Sequence, residues 1–220
     1  MIKKMINKVL VIEDNVSEAI YAQTELAKAG IMDFKAVTTL KEGLSILPKY
    51  DAVLTDLFFP AGNIPIEQYI QKFLPLYEQF KNKRFPEMTG NNVVLSAIQS
   101  CAKVFGVTPE EYVNDYMIKM NTPRQVLTAA RDAIAGIKDS QKYEKFLKIE
   151  QGIRDGTSLP LGIIACEKAL EYNLPCAIVT STYHHDDAFE AIKEQIKVNY
   201  KDTLIEGRKN WKGGIELLLE

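Results

Sequence analysis

Histidine, cysteine and tryptophan are scarce in this chain of 220 residues, which has two, three and one of them. A structural zinc site takes four ligands and prefers sulfur, so the pair His184-His185 favours an exposed loop over a zinc site, with Asp186 capping the next helix. The three cysteines are widely spaced among apolar residues, which indicates buried free thiols in a reducing compartment. These cysteines are Cys101, Cys166 and Cys176.

The chain also lacks an excess of charge of either sign and a long hydrophobic run. Its 27 basic and 29 acidic residues give a formal net charge of -2. No basic patch stands out, so nucleic acid is not an expected partner. No apolar stretch is long enough to cross a bilayer, and the N-terminal residues lead into a segment too short for the core of a signal peptide. We therefore expect no membrane partner and a cytoplasmic location.

Two short apolar segments each end in carboxylates. Val9–Ile12 leads into Glu13 and Asp14, and Ala52–Thr55 leads into Asp56. Short runs rich in Val, Ile and Leu are typical of buried parallel strands, and the C-terminal ends of such strands form the edge where open α/β sheets place ligands. Three acids at that edge would repel one another unless a cation lay between them. The sequence therefore predicts a site for a hard metal ion beside a reactive aspartate.

The segments around these strands alternate between strand and helix. Further strands are predicted over Phe34–Val37, Pro175–Thr180 and Thr203–Glu206, and helices over Asp14–Ala29, Leu40–Leu47, Gly162–Tyr172 and Asp187–Lys197, with a last short helix from Ile215. Alternation of this kind implies parallel strands with helices on both faces. The predicted fold class is α/β, with a doubly wound five-stranded parallel sheet.

The α/β pattern is interrupted over residues 61–159, where no segment predicts a strand convincingly. Apolar residues at helical spacing predict four or five amphipathic helices, enough for an inserted all-α subdomain. Two helices start at Thr108-Pro109 and Thr122-Pro123, because each start has a capping threonine, a proline at the first helical position and Glu or Gln three residues after the cap. We predict a discontinuous α/β domain of residues 1–60 and 160–220 around this insertion.

The α/β part of the chain resembles the receiver domain of two-component response regulators. Lys8–Asn15 is similar to that family's first strand with its acid pair, and Val53–Pro60 to the strand that carries the phosphoaccepting aspartate, with proline four residues later. Leu161-Gly162 is similar to the glycine that follows this proline, and Ile178–Ser181 to the fourth strand with its switch hydroxyl. The resemblance implies a flavodoxin-like receiver fold.

The resemblance also implies the roles of individual residues. Asp56 would accept a phosphoryl group, and Thr180 would donate its hydroxyl to a phosphoryl oxygen. Glu13, Asp14, Asp56 and the backbone carbonyl of Phe58 would bind Mg²⁺, which prefers oxygen ligands. The expected phosphodonor is a histidine kinase or a phosphotransfer protein, and a downstream protein partner would bind the helical insertion. No turnover enzyme is expected beyond self-phosphorylation and autodephosphorylation at Asp56.

A lysine at the end of the fifth strand is expected to pair with the same phosphoryl group. Lys209 is the first choice and Lys201 the second. The proline that follows this lysine in the family is replaced by Asn210, and the family's fifth-strand aromatic is missing, with Glu206 near its place. These departures leave a second hypothesis open, a receiver-like interaction module that is never phosphorylated and whose insertion covers the acidic site.

Overall fold

A parallel β-sheet forms the centre of the computed structural model, which describes residues 6–86, 95, 98–99, 101–103, 106–113, 140–181 and 187–220. Its strands are β1 (Lys8–Ile12), β2 (Asp33–Val37), β3 (Ala52–Thr55), β4 (Cys176–Val179) and β5 (Asn199–Lys201). Their order across the sheet is β2-β1-β3-β4-β5, and every neighbouring pair is parallel. The chain winds in opposite directions from β1, so the edge beside β1 and β3 is the expected ligand crevice.

Helices cover both faces of this sheet, which confirms the α/β fold class. The helices of this part are α1 (Val16–Lys28), α2 (Leu40–Ile46), α6 (Leu161–Glu171), α7 (Asp187–Glu190) and α8 (Trp211–Leu219), with 3-10 turns at Leu47–Lys49 and Lys193–Gln195. α1 and α8 pack together over one face, and α2 and α6 pack together over the other. Alternate strand residues therefore enter two separate apolar layers, as a sheet buried on both sides requires.

The limits of α1 follow from its end residues. Asn15 is the N-cap, because its side-chain oxygen accepts from the backbone N–H groups of Ser17 and Glu18. Gly30 follows the helix with φ of +83°, a conformation that glycine adopts without steric cost. The helix cap is therefore Asn15, and Asp14 is left outside the helix at the edge of the sheet.

The predicted fifth strand, Thr203–Glu206, is wrong. β5 lies earlier, at Asn199–Lys201, and the predicted segment includes the two-residue strand β6 (Leu204–Ile205). β6 pairs antiparallel with β7 (Arg208–Lys209). Glu206 and Gly207 have φ of +52° and +77°, so the chain reverses in a two-residue hairpin turn and cannot continue as a sheet strand.

Two predicted helix limits near the C-terminus also need correction. The segment Asp187–Lys197 contains α7, which ends at Glu190, and then a separate 3-10 turn. α8 begins at Trp211 rather than Ile215, because the side-chain oxygen of Asn210 accepts from the backbone N–H of Gly213 at 2.8 Å. The capping amide, and not the apolar pattern, sets the start of this helix.

The chain divides into two compact units, one of residues 1–76 with 151–220 and the other of residues 77–150. The described elements that contribute to the second unit are α3 (Glu67–Arg84), α4 (Pro109–Tyr112) and α5 (Ser140–Arg154). Thr108 and Glu111 form the predicted capping box of α4. The predicted helix start at Thr122-Pro123 and the segment His184-His185-Asp186 lie outside the described residues.

Within the second unit, an ion pair lies close to a group of aromatic rings. Lys81 Nζ lies 2.6 Å from Glu150 Oε2, and the Glu150 side chain is only 4% exposed. The neighbouring rings are those of Tyr77, Phe80, Phe85, Tyr143 and Phe146. These contacts give residues 77–150 an apolar core of their own. None of the helices described is long and apolar enough to span a membrane.

Candidate functional site

The register of β1 and β3 places two carboxylates side by side at the C-terminal edge of the sheet. Ile12 pairs with Thr55, and the backbone N–H of Asp56 donates to the carbonyl of Ile12 at 2.9 Å. The residues after these strands are Glu13, fully buried, and Asp56, 8% exposed. Asp14 is exposed beside them, and one oxygen from each of the three acids lies within 4.8 Å of the others.

Lys209 is the lysine that the structure pairs with these acids. Its Nζ lies 2.5 Å from Glu13 Oε2 and 2.8 Å from Asp56 Oδ2, and the residue is only 6% exposed. The β6–β7 hairpin carries it there, because Lys209 is the last residue of β7. The second choice, Lys201, lies in β5, where its carbonyl accepts from the backbone N–H of Thr180 at 2.9 Å.

Backbone groups hold the remaining oxygens of the two buried acids. Glu13 Oε1 accepts from the N–H of Asn15 at 3.0 Å, and Asp56 Oδ1 accepts from the N–H of Leu57 at 2.7 Å. All four carboxylate oxygens of Glu13 and Asp56 therefore have a donor, with Lys209 serving the other two. Burial of a charged group without such donors would cost free energy. The four donors therefore hold both side chains in place.

The burial of these groups changes their protonation equilibria. Burial, with repulsion from Asp56, raises the pKa of Glu13 to about 7, although Lys209 opposes the change. Burial also raises the pKa of Asp56, against the opposing effect of Lys209. Burial alone would lower the pKa of Lys209, but the carboxylates of Asp56 and Glu13 outweigh it and raise this pKa. Lys209 is thus held in its charged form.

The charge balance of the cluster leaves a place for a cation. When Glu13, Asp14 and Asp56 are all ionised, their three negative charges and the one positive charge of Lys209 sum to a formal charge of -2. A divalent ion would neutralise this sum, and carboxylate oxygens are the ligands of hard cations. Glu13, Asp14 and Asp56 can therefore hold a metal ion.

The other residues predicted for the site also follow strands β3 and β4. By the β3–β4 register, Asp56 is level with Val179, and Thr180 is the next residue, 1% exposed. Phe58 is half-buried in the bend two residues after Asp56. Thr180 thus follows β4 at the same edge of the sheet at which Glu13 and Asp56 follow β1 and β3.

Gly162 brings the start of α6 against the backbone of Asp56. Its N–H donates to the carbonyl of Leu57 at 3.0 Å. A Cβ at this position would overlap the carbonyl oxygen of Asp56, so no other residue type fits without displacing one of the two segments. The requirement for glycine comes from this close approach rather than from backbone conformation.

Sequence reasoning missed the residues that anchor the hairpin on α1. The Trp211 ring centroid lies 5.9 Å from Lys209 Nζ, and its Nε1 donates to Glu18 Oε2 at 2.9 Å. The Arg208 guanidinium lies over the ring of Tyr21, 5.0 Å from its centroid. No local pattern signals these contacts, because the partners are far apart in the sequence.

Comparisons of the chain with models of protein families, with curated proteins and with solved structures find no match. The function therefore has to be argued from the geometry of the site.

Proposed function

We propose that the protein is a receiver-type phosphoacceptor that is phosphorylated on Asp56 with Mg²⁺ as its metal ion. The observation that carries this proposal is the convergence of Glu13, Asp14, Asp56 and Lys209 on one edge of a parallel sheet. The strand order is the flavodoxin-like order 2-1-3-4-5, in which ligands bind where the winding reverses. Glu13 and Asp56 end the strands β1 and β3 at this switch point.

The acids fit the requirements of Mg²⁺. One carboxylate oxygen from each of the three acids lies within 4.8 Å of the others, so the three side chains can reach a common ion. Mg²⁺ prefers oxygen ligands of this kind. Glu13, Asp14 and Asp56 would hold the ion, and the resemblance adds the carbonyl of Phe58. When bound, the ion supplies positive charge to the incoming phosphoryl oxygens.

Asp56 performs the covalent step. One of its carboxylate oxygens forms the O–P bond as the P–N bond of a phosphohistidine donor breaks, and the electron pair stays with the imidazole nitrogen, which takes a proton from solvent. Lys209 favours the ionised form of Asp56, which the attack requires. Its ammonium then neutralises charge on the transferred group, and the Thr180 hydroxyl donates to one of its oxygens.

The partners follow from this chemistry. A histidine kinase or a phosphotransfer protein supplies the phosphoryl group, and a small phosphodonor such as acetyl phosphate can replace it. The output passes to a downstream protein through the helical residues between β3 and α6. The phosphorylated protein is itself the signal, so no turnover beyond gain and loss of the phosphoryl group is required.

The test is the mass of the intact protein after incubation with acetyl phosphate and Mg²⁺. We expect one added phosphoryl group on the wild type and none on Asp56→Asn. Asp51→Asn is the matched control, because Asp51 lies at the opposite end of β3, where it accepts from the backbone of Asn7 and Lys8. An unmodified wild type, or equal modification of Asp56→Asn, would overturn the proposal.

A second candidate is the interaction module that is never phosphorylated. It is favoured by Lys209, which already pairs with Glu13 and Asp56, and by the low exposure of the Asp56 side chain, 11%. Titration calorimetry with Mg²⁺ separates the two candidates. A phosphoacceptor should bind the ion, with loss of binding in Asp56→Asn. No binding, together with no phosphorylation, would support the interaction module.

A further inference from the structure

Two of the three cysteines lie against each other, away from the acidic cluster. Cys166 is in the middle of α6, and Cys176 is the first residue of β4, on which α6 packs. Cys176 Sγ donates to the carbonyl of Cys166 at 3.7 Å. Each thiol also lies close enough to the other to change its pKa. Packing of the helix on the strand therefore brings together sulfurs that are ten residues apart.

The two thiols differ in exposure and in acidity. Cys166 is 2% exposed, whereas Cys176 is only half-buried. Contact with Cys166 lowers the pKa of Cys176, and contact with Cys176, together with burial, raises the pKa of Cys166. The thiolate is the reactive form of cysteine, so Cys176 is the sulfur that an oxidant meets first. Cys166 is placed to react with it next.

We propose that Cys166 and Cys176 form a reversible intramolecular disulfide on exposure to a hydroperoxide. The Cys176 thiolate attacks the peroxide, the O–O bond breaks, and a sulfenic acid forms as the released hydroxide takes a proton to become water. The Cys166 sulfur then attacks Cys176 Sγ, the S–O bond breaks, and the leaving hydroxide takes the Cys166 proton to become a second water. One hydrogen peroxide is reduced, and the protein loses two hydrogen atoms.

The cross-link joins two elements that also reach the acidic edge. α6 contacts the backbone of Asp56 through Gly162, and β4 leads into Thr180. Oxidation would therefore link the middle of α6 to the start of β4. The disulfide itself does not depend on phosphorylation, so its test stands apart from the test of Asp56.

The experiment treats the full chain with hydrogen peroxide, blocks the remaining thiols with an alkylating reagent and maps tryptic peptides. Lys168 lies between the two cysteines, so trypsin separates them and a disulfide appears as a linked pair of peptides. We expect a product two hydrogen atoms lighter, with this link, that dithiothreitol returns to the starting mass. Cys101→Ser should form the link like the wild type, because Cys101 belongs to the other unit.

Single substitutions test the order of events. In Cys166→Ser, a sulfenic acid trap should label Cys176, and in Cys176→Ser, Cys166 should remain unlabelled. Circular dichroism checks that both variants fold. If either variant does not fold, the peptide map of the wild type alone decides the proposal. A link that includes Cys101, oxidation of Cys176 beyond the sulfenic acid without a link, or no change in mass would overturn it.

Discussion

Replacement of Lys209 by methionine should destabilise the α/β unit in a pH-dependent manner. The substitution keeps the side-chain length but removes the ammonium between Glu13 and Asp56, which are 0% and 8% exposed. Removal of one partner from a buried ion pair costs about 3–5 kcal/mol, because the remaining charge is buried without compensation. Two carboxylates lose their counter-ion here, so we expect a loss at the upper end of this range at alkaline pH.

Protonation of the carboxylates limits this loss at lower pH. The folded-state pKa of Glu13 is already about 7, against 4.5 for the ordinary group, and Lys209 opposes the shift. A carboxyl group whose pKa is higher in the folded than in the unfolded protein stabilises the fold fully below its unfolded-state pKa. This stabilisation is lost as the pH rises through the pKa of the folded state. Without Lys209 the folded pKa of Glu13 and of Asp56 would rise further. The difference between wild type and Lys209→Met should therefore be small near about pH 5 and grow toward about pH 8.

The measurement is urea unfolding in the presence of EDTA, followed by the emission of Trp211. This tryptophan is fully buried in the α/β unit, so its emission reports the unfolding of that unit. Lys212→Met is the matched control, because Lys212 is exposed on the next helix and its loss should change stability by less than about 0.5 kcal/mol. A loss below about 1 kcal/mol at alkaline pH, or an equal loss at both pH values, would refute the reasoning.

Two further predictions concern the metal and the backbone of the site. The apparent affinity for Mg²⁺ should rise with pH up to about 7 and then level off, because the ion binds the form of Glu13 that has lost its proton. Titration calorimetry across this range checks it, and a flat profile would show that Glu13 is not a ligand. Gly162→Ala should destabilise the protein by about 1–3 kcal/mol, because the added Cβ overlaps the Asp56 carbonyl. It should also slow modification by acetyl phosphate, and unchanged stability together with an unchanged rate would contradict the close approach seen here.

The acidic part of the site was readable from the residues themselves, whereas Lys209 was expected there only from the resemblance to receiver domains. Val9–Ile12 and Ala52–Thr55 are fully buried and apolar except for Thr55, because both faces of the sheet are covered. These runs mark where Glu13 and Asp56 follow the strands. β5 is the edge strand, and its residues Asn-Tyr-Lys carry no such signal. Leu204-Ile205 is more apolar than β5, and for this reason the fifth strand was predicted at the hairpin instead.

The hairpin that carries Lys209 to the acids was not predicted, for a different reason. Two left-handed residues, Glu206 and Gly207, reverse the chain and send β7 back toward the acids. Gly207 is a signal for such a turn, but glutamate at its first position is not one of the residues that favour it. The contacts that complete the arrangement, from Trp211 to Glu18 and from Arg208 to Tyr21, join residues close to 190 positions apart and become visible only in three dimensions.

The position of Lys209 has a consequence for how an ion would be sensed. The ammonium contacts two of the three carboxylates that would hold a divalent ion, so binding of the ion would change the charge around Lys209. Lys209 is two residues before Trp211, the only tryptophan of the chain, whose ring lies 5.9 Å from the ammonium. Binding of an ion would therefore take place close to a natural fluorophore, and the emission of Trp211 should report it without an added label.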